Sequence, residues 1–404
     1  MIRSFLLIIQ QKSQKELPMK IQKFIKVFVV LLFACMSSYV AAETQQHFKS
    51  SPTTNDGQHW RVGYYEGGPY SDYQKVLTAT IKGLMAKGWI KNDQIPSLKG
   101  EQTVGLWQWL NTTMQSDYIE FVKDAHYSAD WDDTARVNQK QQVIKRLKES
   151  NDIDLMIAMG TWAGQDLANN EHKTDTLVLS SSDPISSGIV KSLEDSGYKH
   201  IHATVDPDRY ERQLRVFHDI TGFRKLGVAF ENSKNGRSYA AINVINSLSK
   251  ELGFSVLPCH TKSDISDTRI AEQSVITCFQ QLSQKVDAIY VTEQGGITEK
   301  SIPVLVRTAN KHKIPTFSQS GAEEVKYGVL ASLSQSNFKY FGKFHAETAA
   351  KIFNGAQPFE LSQLFEEPPR MAVNLKTAEI IGFNPPILLL GASDEIYREI
   401  EQPK

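Results

Sequence analysis

Asp154-Leu155-Met156-Ile157-Ala158-Met159-Gly160-Thr161-Trp162-Ala163-Gly164 runs from a buried apolar stretch directly into a small-residue helix start. A strand that empties into a helix in this way leaves backbone N–H groups free at the positive end of the helix dipole, a natural seat for a carboxylate or another small anion. The pattern recurs along the chain. Thr176–Leu179 leads into Ser180-Ser181-Ser182-Asp183-Pro184, Leu226–Phe230 into Glu231-Asn232, Ala288–Val291 into Thr292-Glu293-Gln294, and Pro315–Phe317 into Ser318-Gln319-Ser320. Short β-rich runs that end in polar residues and alternate with helical patterns build parallel sheets, and ligands of such sheets sit at the carboxyl ends of the strands.

The chain has 404 residues, enough for two lobes with a full core each. Lys plus Arg total 45 and Asp plus Glu total 45. This balance lacks the concentrated positive field of a nucleic-acid or polybasic membrane surface, so no nucleic-acid partner is expected. Near the N-terminus, Met19–Lys26 is basic, Val27–Met36 is apolar, and Ser37–Ala42 ends in small residues. The three parts make a secretory signal peptide within residues 1–42, cleaved after Ala42. The apolar part is too short to span a bilayer. Export to the periplasm is therefore expected; Leu32-Phe33-Ala34-Cys35 offers the alternative of a lipid anchor at Cys35. Two cysteines then remain, Cys259 and Cys278, which either pair as a disulfide or stay as buried thiols.

Residues 43–58 read as a mobile leader rich in polar residues. Two βα series follow with no Gly/Ser-rich or Pro-rich linker between them, which predicts two lobes joined by several short crossings. The expected partition is residues 59–200 with 295–335 in lobe 1, and 201–294 with 336–400 in lobe 2. Hinge points are expected near His200–Val205, Gly295–Gly296 and Ser334–Ser336. The segment 90–117, with Trp107 and Trp109, has no clear assignment.

From about Trp60 to Ile396 the chain resembles the ABC-transporter substrate-binding proteins of the periplasmic binding protein type I fold, in the group with tryptophan- and tyrosine-binding members. The resemblance is carried by an ordered set: Gly160-Thr161, Ser182-Asp183-Pro184, Gly188–Leu193, Val286–Val291, Ile314–Phe317, Tyr340-Phe341-Gly342, Ala349–Gly355 and Val373–Ala378. It implies an α/β protein of two doubly wound parallel-sheet lobes with a multi-strand hinge, a small-molecule ligand between them, an ABC permease as partner, and a monomer. The chain departs from the family at Trp162, where a proline is usual, and along Glu66–Gln74.

From the first lobe the resemblance carries over Glu66, Gly67, Gly160, Thr161, Asp183 and Pro184 as ligand-binding residues. Asn232, Tyr239 and Glu293 close from the other side, with Ser318 at the end of the strand Pro315–Phe317. Tyr64, Tyr65, Tyr70 and Trp162 either stack on an aromatic ligand or belong to core and rim. A ligand carboxylate is expected on the N–H groups near Thr161 and Trp162, and an ammonium on Asp183 or Glu293. Gly160→Val is then expected to block binding with the fold intact. His200 and His202 lie two apart on one strand face with no third ligand at metal spacing, so they read as packing residues, and neither a metal nor a cofactor is expected. No Gly-x-Gly-x-x-Gly, Walker, Gly-x-Ser-x-Gly or His-Glu-x-x-His pattern occurs, which argues against an enzyme. A ligand-sensing module for a signalling receptor is the alternative to a transport receptor.

Overall fold

Each apolar run of the N-terminal half alternates its residues between two packed layers. On β1 (Trp60–Glu66), Val62 and Tyr64 enter one core and Tyr65 the other; on β3 (Leu155–Met159), Leu155, Ile157 and Met159 enter the first, Met156 and Ala158 the second. A strand buried on both faces requires helices on both faces, which is the doubly wound arrangement. The computed structural model describes residues 48–91, 94–98, 100, 102–334, 338–365 and 369–403. In the first sheet the order is β2-β1-β3-β4-β5, all parallel, with β2 at Ile119–Ser128, β4 at Asp175–Leu179 and β5 at Ile201–Ala203.

The second sheet runs β12-β11-β10-β9-β8-β6-β7. Its strands are β6 (Lys225–Glu231), β7 (Ser255–Thr261), β8 (Ala288–Val291), β9 (Thr316–Ser318), β10 (Ala331–Ser334), β11 (Arg370–Asn374) and β12 (Ser393–Tyr397). Only the β10–β11 pair is antiparallel. Leu226, Val228 and Phe230 face one core layer and Ala229 the other, as in the first lobe. Cys259 on β7 is disulfide-bonded to Cys278 on the helix Thr268–Leu282.

Several expectations are corrected. The strands β9 and β10 continue the second sheet, so residues 295–335 belong with lobe 2 and not lobe 1. β5 closes the first sheet, which moves the boundary past residue 200. The helix Lys339–Phe353, expected with lobe 2, packs on Ser71–Ala86 of lobe 1. Their backbones meet at glycines: a Cβ on Gly83 would lie 2.4 Å from the Gly342 carbonyl oxygen, and one on Gly342 would lie 2.2 Å from that of Ala79. The chain thus crosses between lobes after β5, between residues 334 and 339, and again before β11. Val205 ties two of these crossings, donating its N–H to Gln363 O (2.8 Å) and accepting from Phe365 N–H (2.9 Å). Gly295–Gly296 is no crossing; Gly295 N–H donates to Ser263 Oγ inside lobe 2.

The expected signal peptide, Cys35 and residues 43–47 lie outside the described residues, as do residues 335 and 336 of the third expected hinge point. Residues 50–58, expected to be mobile, are fastened to lobe 1. Ser50 O accepts from Trp89 Nε1 (3.0 Å), Ser51 O from Asn354 Nδ2 (3.0 Å), and Thr53 O from Trp60 Nε1 (2.8 Å). The unassigned segment holds a helix, Val104–Thr112, whose Trp107 is fully buried against Tyr64 and Phe121. Among the described residues no helix is long and apolar enough to cross a membrane.

Candidate functional site

The carboxyl ends of β1, β3 and β4 face those of β6, β8 and β9 across the space between the lobes. On the first wall, β1 ends in Glu66, which is buried and accepts hydrogen bonds from the Tyr64 and Thr103 hydroxyls, both at 2.7 Å. Burial pushes its carboxyl up to about 7. Gly67 and Gly68 follow because rings lie against them: a Cβ on Gly67 would stand 2.8 Å from the Trp131 ring and 2.9 Å from Trp162 Cβ. Trp131 is fixed by its Nε1 donating to Pro69 O (2.8 Å), and it meets Trp162 edge to face at 5.2 Å. Tyr70 sits edge-on to Tyr73.

Gly160 begins the helix Gly160–Leu167 at φ 82°, a left-handed value. A Cβ there would come within 1.8 Å of the Tyr73 hydroxyl. The turn at Gly160 is therefore occupied by Tyr73, and Gly160→Val strains the backbone and displaces a buried tyrosine rather than acting on a ligand alone. Thr161 Oγ1 lies 3.3 Å from Ser181 Oγ. Trp162 is buried; the Arg136 guanidinium stacks over its ring at 4.4 Å, and its Nε1 donates to Asp264 Oδ2 at 3.2 Å. That last bond joins the two lobes.

Asp264 follows β7. Its other oxygen accepts from Ser263 Oγ (3.1 Å), and Glu231, at the end of β6, accepts from the N–H groups of Ser263 (2.6 Å) and Asp264 (3.1 Å). Burial, then the neighbouring Glu231 charge, pushes the Asp264 carboxyl up to about 6. Tyr239 is beside it, with its hydroxyl buried near Ser263 and Glu231. On the same wall, after β8, Glu293 pairs with Arg209 and accepts from Ser182 Oγ (2.9 Å), a second link between lobes. Glu324 is buried, its carboxyl is pushed up to about 8 by desolvation, and its Oε2 has no partner among the described residues.

Of the residues expected from sequence, Trp162, Tyr239 and Glu293 thus line the interlobe space, with Glu293 held in an ion pair. Asp183 instead accepts from the N–H groups of Ile185 (3.1 Å) and Ser186 (2.9 Å), capping a turn whose Pro184 carbonyl accepts from Ile189 and Val190. Asn232 is exposed and accepts from Arg237 (3.1 Å); Ser318 Oγ accepts from Gly321 N–H (2.8 Å). Tyr64 and Tyr65 are core residues, fully buried. His202 donates to Ser362 O (3.0 Å) and His200 stacks edge-on against His172 at 4.7 Å. Among the described residues no three metal-ligating side chains converge.

Sequence reasoning missed Tyr73, Trp131, Arg136, Arg209, Asp264 and Glu324. Tyr73 falls on the apolar face of the helix Ser71–Ala86, and Asp264 sits in a polar loop. Missed too was a cavity of about 470 Å³ at the cleft mouth, lined by Arg136, Gln165, Ser187 and Gly188 of lobe 1 and Ser233, Lys234 and Asn235 of lobe 2. The Gln165 side chain crosses it, its Nε2 donating to Asn235 Oδ1 (2.9 Å) and to Ser187 O (3.0 Å).

The cleft residues from Trp131 to Glu324 lie within a matched region: the family model described as ABC transporter substrate binding protein covers residues 116–394, more than half of the chain. The chain belongs to that family. A tyrosine-binding protein of Clostridioides difficile is 26% identical over 204 residues, which are 50% of this chain and 55% of that protein, so the match spans about half of each. A solved conserved domain protein of Vibrio cholerae has a TM-score of 0.64 at 18% identity, covering 84% of this chain and 100% of its own. An ABC domain from Streptococcus pneumoniae, solved with L-Trp, has a TM-score of 0.62 at 18% identity, covering 83% and 99%. These structures establish the shared fold, that of type I periplasmic binding proteins.

Proposed function

We propose that this substrate-binding protein is an exported receptor that closes two lobes on a small amine-bearing, amino-acid-like ligand with an aromatic or amphipathic body, and delivers it to an ABC permease. The observation that carries the reading is the pairing of Trp162 with Asp264 across the strand ends, inside a wall of Tyr70, Tyr73, Trp131 and Tyr239. A desolvated ammonium needs an anionic partner, and aromatic faces add cation–π attraction. Asp264 serves this role better than Asp183, which caps a turn, or Glu293, which is paired with Arg209. The names of the tyrosine-binding relative and of the L-Trp complex support a ligand of this class. Mass spectrometry of gently purified protein, followed by calorimetry with L-tyrosine and L-tryptophan, tests it. A co-purified amine that binds reversibly is expected. A ligand recovered chemically changed, or no amine binding at all, overturns the reading.

A further inference from the structure

The cleft is electrically divided along one helix. At Trp162, in the first turn of Gly160–Leu167, the facing group is the Asp264 carboxylate with Glu231 behind it. Three residues on, at Gln165, the facing group is Asn235, and the cavity beyond carries Arg136 and Lys234. None of its seven lining residues bears a carboxylate. Arg136 is already in a forked ion pair with Asp166, through Nε (2.9 Å) and Nη2 (3.0 Å). Lys234 is different: among the described residues its ammonium makes no ion pair. Its Nζ lies beside Gly188 of the opposite lobe, 3.6 Å from where a Cβ there would stand, and both residues line the cavity.

We propose that the cavity at the mouth is a subsite for a ligand's terminal carboxylate, and that the ligand is longer than a free amino acid, of dipeptide size, lying with its amino end at Asp264 and its carboxylate at Lys234. The proposal rests on the reading of the cleft as an amine-binding site. The spacing supports it. Trp162 and Gln165 are separated by about 4.5 Å of helix rise, and one further residue in an extended chain spans about 3.3–3.6 Å. A free α-amino acid holds both charges on one carbon, whereas one added peptide unit sets them apart along the wall from Trp162 to Gln165. The polar lining suits the amide of that unit: Gln165 Nε2 is engaged by Ser187 O and Asn235 Oδ1, which turns the Asn235 amide N–H groups to the ligand as donors.

Calorimetry on the full-length protein with three probes tests this: L-tyrosine, the dipeptide L-tyrosyl-glycine, and the same dipeptide with its carboxylate amidated. The acid dipeptide is expected to bind about five- to tenfold more tightly than its amide, a range set by one partly exposed charge-assisted contact, for which tenfold is about 1.4 kcal/mol. Lys234→Met should bring the two dipeptides level, and Lys234→Arg should restore the preference. Lys234 is exposed, so these variants keep the fold. Equal affinity of acid and amide for the unaltered protein overturns the subsite while leaving the cleft reading in place. So does tyrosine binding with neither dipeptide bound. Failure of all three probes overturns both.

Discussion

Gly160→Ala should destabilise the protein far more than a surface turn substitution would, and the structure sets the size. Alanine at φ 82° meets the left-handed penalty of about 1–2 kcal/mol. The new methyl also falls 1.8 Å from the Tyr73 hydroxyl and 2.4 Å from its Cζ, so the ring must move. Tyr73 is only 5% exposed and packs on Tyr70 and Trp131, which makes its displacement an overpacking event of about 1–3 kcal/mol. The sum is about 2–5 kcal/mol. Gly253→Ala is the control: φ is 76°, with nothing within 4 Å of the added methyl, so it meets only the backbone penalty. Urea unfolding of both variants isolates the steric part by difference. If Gly160→Ala is no less stable than Gly253→Ala, Tyr73 does not fill this turn, and the helix start returns as a candidate anion seat. Ligand affinity measured on the surviving folded fraction separates the two roles.

Glu293→Leu should cost about 3–5 kcal/mol in urea unfolding because it strands the buried Arg209 charge, and the double variant with Arg209→Leu should recover most of it; equal losses in single and double variants would refute the pairing. Glu324 has a folded pKa of about 8, above that of an unfolded glutamate, so the folded state holds its proton longer. Its stabilising contribution is complete below about pH 4 and is lost as pH rises toward 8, so Glu324→Gln should flatten the stability-against-pH curve across that window; parallel curves would sink the assignment. Reducing the Cys259–Cys278 bond should lower stability by about 3 kcal/mol, since it closes a loop of 19 residues; calorimetric unfolding with and without reductant checks it, and an unchanged Tm would speak against a stabilising bond.

The alternation of strands and helices was readable because each strand keeps a period of two and each helix a stripe of apolar residues, and both patterns are local. Which lobe a strand joins was not. β9 and β10 have three and four residues, too few to carry a mark of the sheet they enter, and the helix Lys339–Phe353 reaches lobe 1 through contacts between Gly342 and the backbone of Ala79, some 260 residues earlier. The helical run from Lys234 to Leu252 is broken at Ala241, whose φ of 53° no propensity places there. In the site, the strand ends were found but the roles of their carboxylates were not. Asp183 and Glu293 look alike in sequence to Asp264, and only their partners separate them: two N–H groups of the next turn for the first, Arg209 for the second, and Trp162, 102 positions distant, for the third.

Those partners also join two features that looked separate in sequence, the Trp162 departure from the family pattern and the unusual stretch Glu66–Gln74. The Trp162 ring needs the space that Gly67 leaves free, and Gly68 gives the same room to Trp131, whose backbone N–H in turn bonds Gly67 O at 2.9 Å. Arg136 completes the set, stacking on Trp162 while Asp166 fixes its guanidinium. A proline in place of Trp162 would remove the lobe-bridging Nε1 and leave Asp264 facing the cleft with one donor fewer. The glycines, the two tryptophans, Arg136 and Asp264 therefore form one unit. Changing Trp162 alone would leave a gap beside two glycines and a loosened Arg136, so ligand preference in this branch should shift only when several of these positions change together.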